Sequence, residues 1–198
     1  MAGRDVARAL LDAVDAALRE GAVSSLSLRD VARRAGVSHA SPAHFFGNKA
    51  GLLTAFAVRG FEGLAAAVLN EVIASRPEDG PARLAAIGRG YVRFAIAEPS
   101  LFEVMFRADV LDVHHPALTR ATQGAYALLT STVEQCAAEG ALRGRDPAIV
   151  AIAAWSIVHG LATLWTSGWL VGRSPIDDPD QLAAQVGDLF VDAVLRGR

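Results

Sequence analysis

The side chains best suited to recognising another molecule are concentrated at positions 38–45. They are Ser38, His39, Ala40, Ser41, His44 and Phe45. Hydroxyl and imidazole groups donate or accept hydrogen bonds at the edges of nucleic-acid bases, and a small methyl group packs against the methyl of thymine. The alternative for each residue is an ordinary solvated helix surface. Taken together, these residue types and their spacing favour contact with a DNA duplex.

Two short helices joined by a tight turn are predicted to position these side chains. Ser27 and Asp30 form the Ser-x-x-Asp pattern of a helix start, and this first helix is expected to end just before Gly36. Gly36 can take the positive φ that a tight turn needs. Ser38 is expected to cap the second helix, which runs to about Phe45. The first turn of that helix would then project into a major groove.

Three further residues are placed to hold phosphates. Lys49 is the only lysine beside eighteen arginines, and it lies at the predicted start of a long helix capped by Asn48. Ser27 and Arg29 lie likewise at the start of the first short helix. Because the N–H groups at a helix N-terminus favour an anion, all three positions suit a backbone phosphate.

This stretch resembles the helix-turn-helix of the tetracycline-repressor (TetR) family of bacterial transcription regulators. The resemblance covers about residues 4–60. The motif consists of the Ala-Gly-Val-Ser turn at 35–38 followed by Phe46, Lys49, Leu52 and Leu53, in the order and spacing of that family. The resemblance implies that the second short helix reads bases, while the start of the preceding helix and Lys49 hold phosphates.

The recognition segment departs from the family pattern at three positions. The family usually has a tyrosine where this chain has Ala43. The alanine cannot make the phosphate contact that the tyrosine would make. The family often has a histidine where this chain has Phe45. Pro42 lacks a backbone N–H and must therefore lie within the first turn of the second short helix.

The rest of the chain is also predicted to be helical. Apolar residues recur at three- and four-residue steps, prolines stand near the predicted helix starts, and no strand pattern is evident. Helices are expected at about 4–20, 49–75, 81–97, 99–108, 116–139, 147–172 and 178–196, besides the two short ones. The predicted fold class is all-α with about nine helices. We expect a three-helix helix-turn-helix domain over residues 1–60 and a larger helical ligand-binding and dimerisation domain over 61–198.

The C-terminal part resembles the sensor subgroup named the WHG domain, over roughly residues 80–190. Trp155 and His159-Gly160 reproduce its Trp-x-x-x-His-Gly motif, and Leu101–Phe106 is also similar. The resemblance implies a small-molecule effector of unspecified identity. Trp155 and His159 share one helical face, where His159 either binds an effector carboxylate or hydrogen-bonds a neighbouring helix.

Aromatic, histidine and methionine side chains in this part are expected to line an apolar cavity between helices, as in most ligand sites. They are Tyr91, Phe94, Phe102, Met105, Phe106, Tyr126, Trp155, His159 and Trp165. For each of them, plain core packing is the alternative.

The segment from Ala148 to Gly172 contains no acidic or basic residue other than His159. Its length suits a membrane span. However, Ser and Thr residues interrupt it, and small residues such as Gly160 permit close packing. A helix of a soluble protein is also apolar on all sides where one face packs against its own core and the other against a second subunit. We therefore expect a homodimer formed through the helices near 147–172 and 178–196, as the family resemblance implies, rather than membrane attachment.

Composition and charge set the protein class. Residues 1–60 carry eight basic and five acidic side chains, whereas the remainder carries 11 basic and 16 acidic ones. A basic end on an acidic body suggests a polyanionic partner for that end. Hydrophobic residues make up 52% of the chain, which suits a substantial core, and the lone Cys136 suits a reducing compartment. With no signal-peptide pattern evident, we expect a cytoplasmic protein.

Enzyme and metal chemistry are poorly supported. The sequence has no nucleophile elbow, phosphate-binding loop, dinucleotide fingerprint or paired-histidine metal motif, so no cofactor is expected. Asp109, Asp112, His114 and His115 lie close together without convincing ligand spacing. The Asp177–Asp180 cluster precedes a helix, where acids act as caps. The sequence predicts a ligand-responsive regulator, a repressor, that binds a palindromic DNA operator as a dimer and releases it when a small apolar or amphipathic effector binds.

Overall fold

The computed structural model describes residues 3–197, and every regular element within that range is helical. Nine α-helices follow one another in this part of the chain: α1 (Gly3–Glu20), α2 (Leu28–Arg34), α3 (Ser41–Phe46), α4 (Lys49–Ser75), α5 (Gly80–Ala97), α6 (Pro99–Met105), α7 (Pro116–Ala138), α8 (Pro147–Thr166) and α9 (Pro179–Phe190). A short 3₁₀ turn (Val23–Ser25) precedes α2, and a π-helix (Val191–Arg196) follows α9. The predicted all-α fold is confirmed.

Several helix starts are set by an aspartate followed by a proline. Asp79, Asp146 and Asp178 cap α5, α8 and α9, each accepting a backbone N–H of the first turn at 2.7–2.8 Å. The following proline occupies a position whose N–H has no partner within the helix. The Asp177–Asp180 cluster therefore contributes a helix cap through Asp178, as expected.

The chain divides into two compact units. The first comprises Met1–Phe61 together with Ser100–Thr122, and the second comprises Glu62–Pro99 together with Gln123–Arg198. The sequence predicts one boundary near residue 60. The structure in addition groups α6 and the start of α7 with the N-terminal helices.

The core of the first unit forms where α1, α2 and α4 meet. Leu10 and Val14 of α1, Val31 of α2, and Leu52 and Phe56 of α4 are completely buried. The segment 100–122 is attached to this unit through the side of α4. There the Phe61 and Phe106 rings pack edge to face, 5.5 Å apart.

The second unit is built around α5, which packs against α8 and α9. Its core includes Leu84 from α5, Val133 and Cys136 from α7, Val150 from α8, and Val191 after α9. Burial raises the pKa of the Cys136 thiol to about 11, so the residue remains a neutral packing group.

Three predicted helix ends were wrong. The second short helix begins at Ser41, because residues 38–41 form a turn closed by the Ser41 N–H and the Ser38 carbonyl. The helix after residue 147 ends at Thr166 instead of 172, because Gly168 and Gly172 adopt positive φ. Helix α6 ends at Met105 instead of 108. The last predicted helix, 178–196, is helical to its predicted end, because the π-helix Val191–Arg196 directly continues α9.

Within residues 3–197, two helices are long and apolar enough to cross a membrane by length and composition alone. They are α4 and α8, with mean hydropathies of 1.6 and 1.8 over their most apolar windows. Half of the α4 window is buried within the protein, as is usual for a core helix, whereas only 22% of the α8 window is buried. The apolar surface of α8 is therefore largely uncovered in the protomer.

Candidate DNA-reading surface and effector site

The turn between α2 and α3 is a Schellman motif. The Val37 N–H donates to the Ala32 carbonyl at 3.0 Å, and the Gly36 N–H donates to the Arg33 carbonyl at 3.2 Å. Gly36 has a φ of 66°, as its place in the sequence predicted. Ser27 caps the other end of α2 by accepting the Asp30 N–H at 3.1 Å, also as predicted. Both ends of α2 are thus set by local hydrogen bonds.

The predicted base-reading residues lie on one exposed stretch. Ser38, His39, Ala40, His44 and Phe45 are exposed, and Ser41 is half-buried. Pro42 is buried within the first turn of α3, as expected. The His44 and Phe45 rings meet edge to face at 5.1 Å, which leaves Phe45 36% exposed. Accessible imidazole, hydroxyl and apolar groups are thus presented together.

The connection between α3 and α4 is unusually tight. Gly47 has φ 75° and ψ −63°, and the Asn48 N–H donates back to the Phe46 carbonyl at 2.9 Å, which closes a γ-turn. Asn48 then caps α4 by accepting the Gly51 N–H at 2.9 Å, as predicted. A Cβ atom at Gly51 would overlap the Phe46 carbonyl oxygen. A glycine is therefore required one turn into α4, at a position that the sequence did not single out.

Lys49 faces the start of α2 in the isolated protomer. Its Nζ donates to the carbonyls of Val23 and Ser24, at 2.9 and 3.2 Å. An ammonium group has three donors, so these two bonds leave one for another acceptor. Lys49 thus links α4 to the turn that leads into α2, close to where Ser27 and Arg29 lie in the chain.

Two ion-pair groups hold the helices of the first unit together. Arg34 of α2 binds Glu20 of α1 at 2.7 Å and Asp30 of its own helix at 2.6 Å. The hydrogen bonds from Arg34 lower the pKa values of both carboxyl groups. Arg59 of α4 pairs with Asp12 of α1. These groups are solvated, so their main effect is to fix orientation rather than to add stability.

An aromatic cluster in the second unit contains four of the predicted effector residues. The Trp155 Nε1–H donates to the Tyr91 hydroxyl at 3.4 Å, and that hydroxyl lies 2.8 Å from Nδ1 of His159. Since the indole N–H can only donate, the Tyr91 oxygen accepts from Trp155, and the same hydroxyl shares a hydrogen bond with Nδ1 of His159. The Tyr126 and Trp155 rings lie 5.9 Å apart.

The hydrogen bonds and burial of this cluster define its charge state. Burial raises the pKa of Tyr91 and lowers that of His159. Both groups are thereby kept neutral. His159 hydrogen-bonds a neighbouring helix, which was one of the two roles open to it from the sequence.

Comparison with known proteins decides the family. The model of the tetracycline repressor-like C-terminal domain matches residues 84–190, and the model of bacterial regulatory proteins of the tetR family matches residues 10–56. This chain belongs to the TetR family. A search of curated proteins found no significant match.

Solved structures of similar proteins agree with this assignment. A protein of unknown function from Rhodococcus sp. RHA1 is 30% identical, with a TM-score of 0.81, covering 96% of this chain and 95% of its own. The TetR-family regulator PfmR from Thermus thermophilus is 20% identical with a TM-score of 0.71, covering 95% of this chain and 97% of its own. FadR from Bacillus subtilis, solved in complex with stearoyl-CoA, is 15% identical with a TM-score of 0.74, covering 94% of this chain and 98% of its own.

Membership of the TetR family settles the general class. The chain is a helix-turn-helix DNA-binding regulator of transcription. The finer resemblance to the WHG subgroup stays a prediction, because the matching C-terminal model is described only as tetracycline repressor-like.

The other predicted effector residues of this TetR regulator are divided between the two units. Phe102, Met105 and Phe106 belong to the first unit, where Phe102 and Phe106 meet at 5.5 Å and Met105 packs over Gly60. In the second unit, Phe94 is buried against Gly63 and Trp165 is half-buried in α8.

The acidic and histidine side chains near residue 112 are engaged locally. Asp109 binds Arg107 at 2.8 Å, and Asp112 accepts the His114 N–H at 3.2 Å. Nδ1 of His115 accepts the Ala117 N–H at 3.2 Å, which caps α7. Residues 3–197 contain no group of three or more His, Cys, Asp and Glu side chains arranged to hold a metal ion.

Sequence reasoning missed one contact in this segment. The Asp112 N–H donates to Oγ1 of Thr54, which is almost completely buried in α4, at 2.9 Å. A threonine directly after Leu52 and Leu53 and close before Phe56 in α4 was the available signal.

Proposed function

We propose that this TetR-family protein is a cytoplasmic, ligand-responsive repressor that binds a palindromic operator as a homodimer and releases it when a small effector binds. Residues 1–60 would form the DNA-binding domain and 61–198 the ligand-binding and dimerisation domain. The observation that carries the DNA-binding role is the exposed 38–45 stretch, held between a Schellman turn and a γ-turn.

The proposed base contacts come from Ser38, His39, Ala40, Ser41, His44 and Phe45. The proposed phosphate contacts come from Ser27, Arg29 and Lys49. The two sets differ in consequence, because base contacts discriminate between sequences whereas phosphate contacts add affinity to any duplex.

A homodimer through α8 and α9 is supported by uncovered apolar surface. Ile149 and Ile152 of α8 are 63% and 51% exposed, and Leu189 of α9 is 71% exposed. Helix α8 contains no Asp, Glu, Lys or Arg, so exposing its surface to water is unfavourable. A second copy presenting the same face would bury these side chains. Two reading helices in one dimer would then suit half-sites about 34–36 Å apart.

The proposed effector is a small apolar or amphipathic molecule. Its binding region would include the Tyr91, Tyr126, Trp155 and His159 cluster, in which rings converge around neutral hydrogen-bonding groups. The stearoyl-CoA held by Bacillus subtilis FadR exemplifies the amphipathic class in this fold.

The proposed path between effector and operator is α4. This helix begins at Lys49 beside the reading segment and continues without interruption to Ser75 in the second unit. An effector that favours one arrangement of the helices in the second unit would act through α4. It would change the distance between the two DNA-binding domains of the dimer. If a bound effector leaves operator affinity unchanged, the proposed path is wrong.

The DNA-binding role is tested by selecting bound fragments from the source genome and measuring affinity by fluorescence anisotropy. We expect His44→Ala and Ser41→Ala each to weaken specific binding by about fivefold or more, if each base contact contributes about 1–3 kcal/mol. Ser131→Ala, exposed on α7, is the matched control. A protein that shows no preference for any duplex over random competitor at moderate salt, or that remains strictly monomeric, would contradict the proposal.

A further inference from the structure

A cavity lies beside the reading helix, and all of its lining residues belong to the first unit. It measures about 630 Å³ and is lined by the end of α3, the outward side of α4 and the segment that enters α7. Its volume falls in the range of small-molecule sites, about 300–1,000 Å³. It is separate from the Tyr91–His159 cluster, which belongs to the second unit.

The walls of this groove are held by specific bonds. Gly51 contributes no side chain, and an added Cβ atom there would overlap the Phe46 carbonyl oxygen. On the opposite wall, the Asp112 N–H is anchored to the buried Thr54 hydroxyl, and His115 caps the start of α7. The opening is therefore defined by hydrogen-bonded backbone on both sides.

The apolar wall contains aromatic surface. Phe45 and Phe46 of α3 line it together with Ala55 and Val58 of α4. The two phenylalanine rings lie 6.4 Å apart and tilted, and Phe45 is 36% exposed. Ring faces of this kind attract cations, and an organic cation also gains from contact with the aliphatic side chains.

The polar rim carries negative charge. Asp112 lines the groove and has no ion-pair partner among residues 3–197, whereas the neighbouring Asp109 is occupied by Arg107. Lys49 does not pair with the Asp112 carboxylate, because the Lys49 Nζ is bound to the Val23 and Ser24 carbonyls. Nδ1 of His115 is occupied by the Ala117 N–H at the start of α7.

We propose that this groove binds a lipophilic organic cation, a quaternary ammonium or protonated amine with an aromatic or branched alkyl body. The cationic centre would lie between Asp112 and the Phe45 ring, with the apolar body against Ala55 and Val58. Because Phe45 and Phe46 belong to α3, an occupant would also alter operator affinity. That last consequence rests on the proposed function, whereas binding to the groove does not.

The binding experiment uses the full chain and benzyltrimethylammonium, with the neutral isostere neopentylbenzene as the paired probe. Titrations followed by amide chemical shifts would report both affinity and location. We expect the cation to shift the amides of Phe46, Thr54 and Asp112 and to bind about tenfold or more tightly than the isostere. Equal binding of the two probes, shifts confined to the second unit, or no binding of the cation at about 10 mM, well above the about 1 mM dissociation constant of a weak site, would overturn the proposal.

Variants distinguish the contribution of the Asp112 carboxylate charge to cation binding from its contribution to the local structure. Asp112→Asn keeps the backbone N–H that Thr54 accepts and an oxygen for the His114 N–H, and we expect it to weaken cation binding about tenfold. Asp109→Asn is the matched control and should leave binding within about twofold, because Asp109 faces Arg107. Ala55→Phe, which fills the groove, should abolish binding. Unchanged affinity in Asp112→Asn would overturn the assignment of the carboxylate.

Operator affinity measured at a saturating concentration of benzyltrimethylammonium tests whether occupancy of the groove regulates DNA binding. We expect it to change in the wild type and to remain constant in Ala55→Phe. If the cation binds in the groove while operator affinity stays constant, the regulatory part is wrong and the site itself stands. If no operator is found, the proposed function fails while the cation titration still decides the site.

Discussion

The carbonyl oxygen of Phe46 occupies the space that a Cβ atom on Gly51 would need. This contact locks the end of the reading helix onto the first turn of α4. The γ-turn at Gly47 folds the Phe46 carbonyl back against the first turn of α4.

Gly51→Ala is expected to destabilise the protein. An alanine inside a helix usually stabilises by about 0.4–1 kcal/mol relative to glycine, but here the added methyl group must displace backbone. Overpacking of this kind costs about 1–3 kcal/mol. Urea denaturation would measure the loss. Gly124→Ala on α7, where an added Cβ meets nothing within 4 Å, is the control and should be neutral or stabilising. Equal stability of the two variants would argue against the contact.

Lys49→Gln is expected to weaken binding to specific and random duplexes alike. If the third donor of the ammonium contacts a phosphate, the slope of log affinity against log salt should fall by about one. The variant also loses the bonds to Val23 and Ser24, so its stability must be measured alongside. An unchanged salt slope with reduced stability would make Lys49 a purely structural residue.

His159 is expected to make stability depend on pH. Burial lowers its pKa, so the unfolded chain takes up a proton at a higher pH than the folded protein does. The stabilising contribution is therefore complete above the ordinary histidine pKa of about 6.5 and is lost as pH falls through the lower folded value. His159→Gln should flatten the fall in unfolding free energy between about pH 7 and 5. His114→Gln, at an exposed position, should leave it unchanged, and a slope that survives in His159→Gln would refute this assignment.

Gly160→Leu and Gly187→Leu are expected to disrupt the proposed dimer without disturbing the protomer. At both positions, on α8 and α9, an added Cβ meets nothing within 4 Å in the protomer. A leucine there would instead collide with a closely packed partner helix. Sedimentation equilibrium should show monomers for these variants, and Gly124→Leu on α7 should behave as wild type. Dimers of unchanged affinity in both variants would place the interface elsewhere.

Thr54→Val is expected to release the segment that leads into α7. The change nearly preserves side-chain shape but removes the acceptor for the Asp112 N–H, which costs about 1 kcal/mol. Hydrogen exchange of the Asp112 amide should accelerate in this variant. Thr54→Ser keeps an acceptor and should retain the protection; if it does not, packing of the threonine methyl is the important contact.

The fold class and most helices were determined by the sequence itself, because the signals are local. Asp79, Asp146 and Asp178 precede prolines and act on N–H groups two or three residues away. Gly36 closes its turn with hydrogen bonds inside a six-residue segment. Hydrogen bonds of this range are readable from the order of residues alone.

Tertiary structure alone decided the features that join distant segments. Tyr91 and His159 lie 68 residues apart in the chain, and Thr54 and Asp112 lie 58 apart. No periodicity reports such pairs, because they depend on how helices pack. The same holds for the cavity beside α3, for the grouping of residues 100–122 with the N-terminal helices, and for the glycine required at position 51. Helix propensity follows from neighbours along the chain, whereas cavities and clashes follow from neighbours in space.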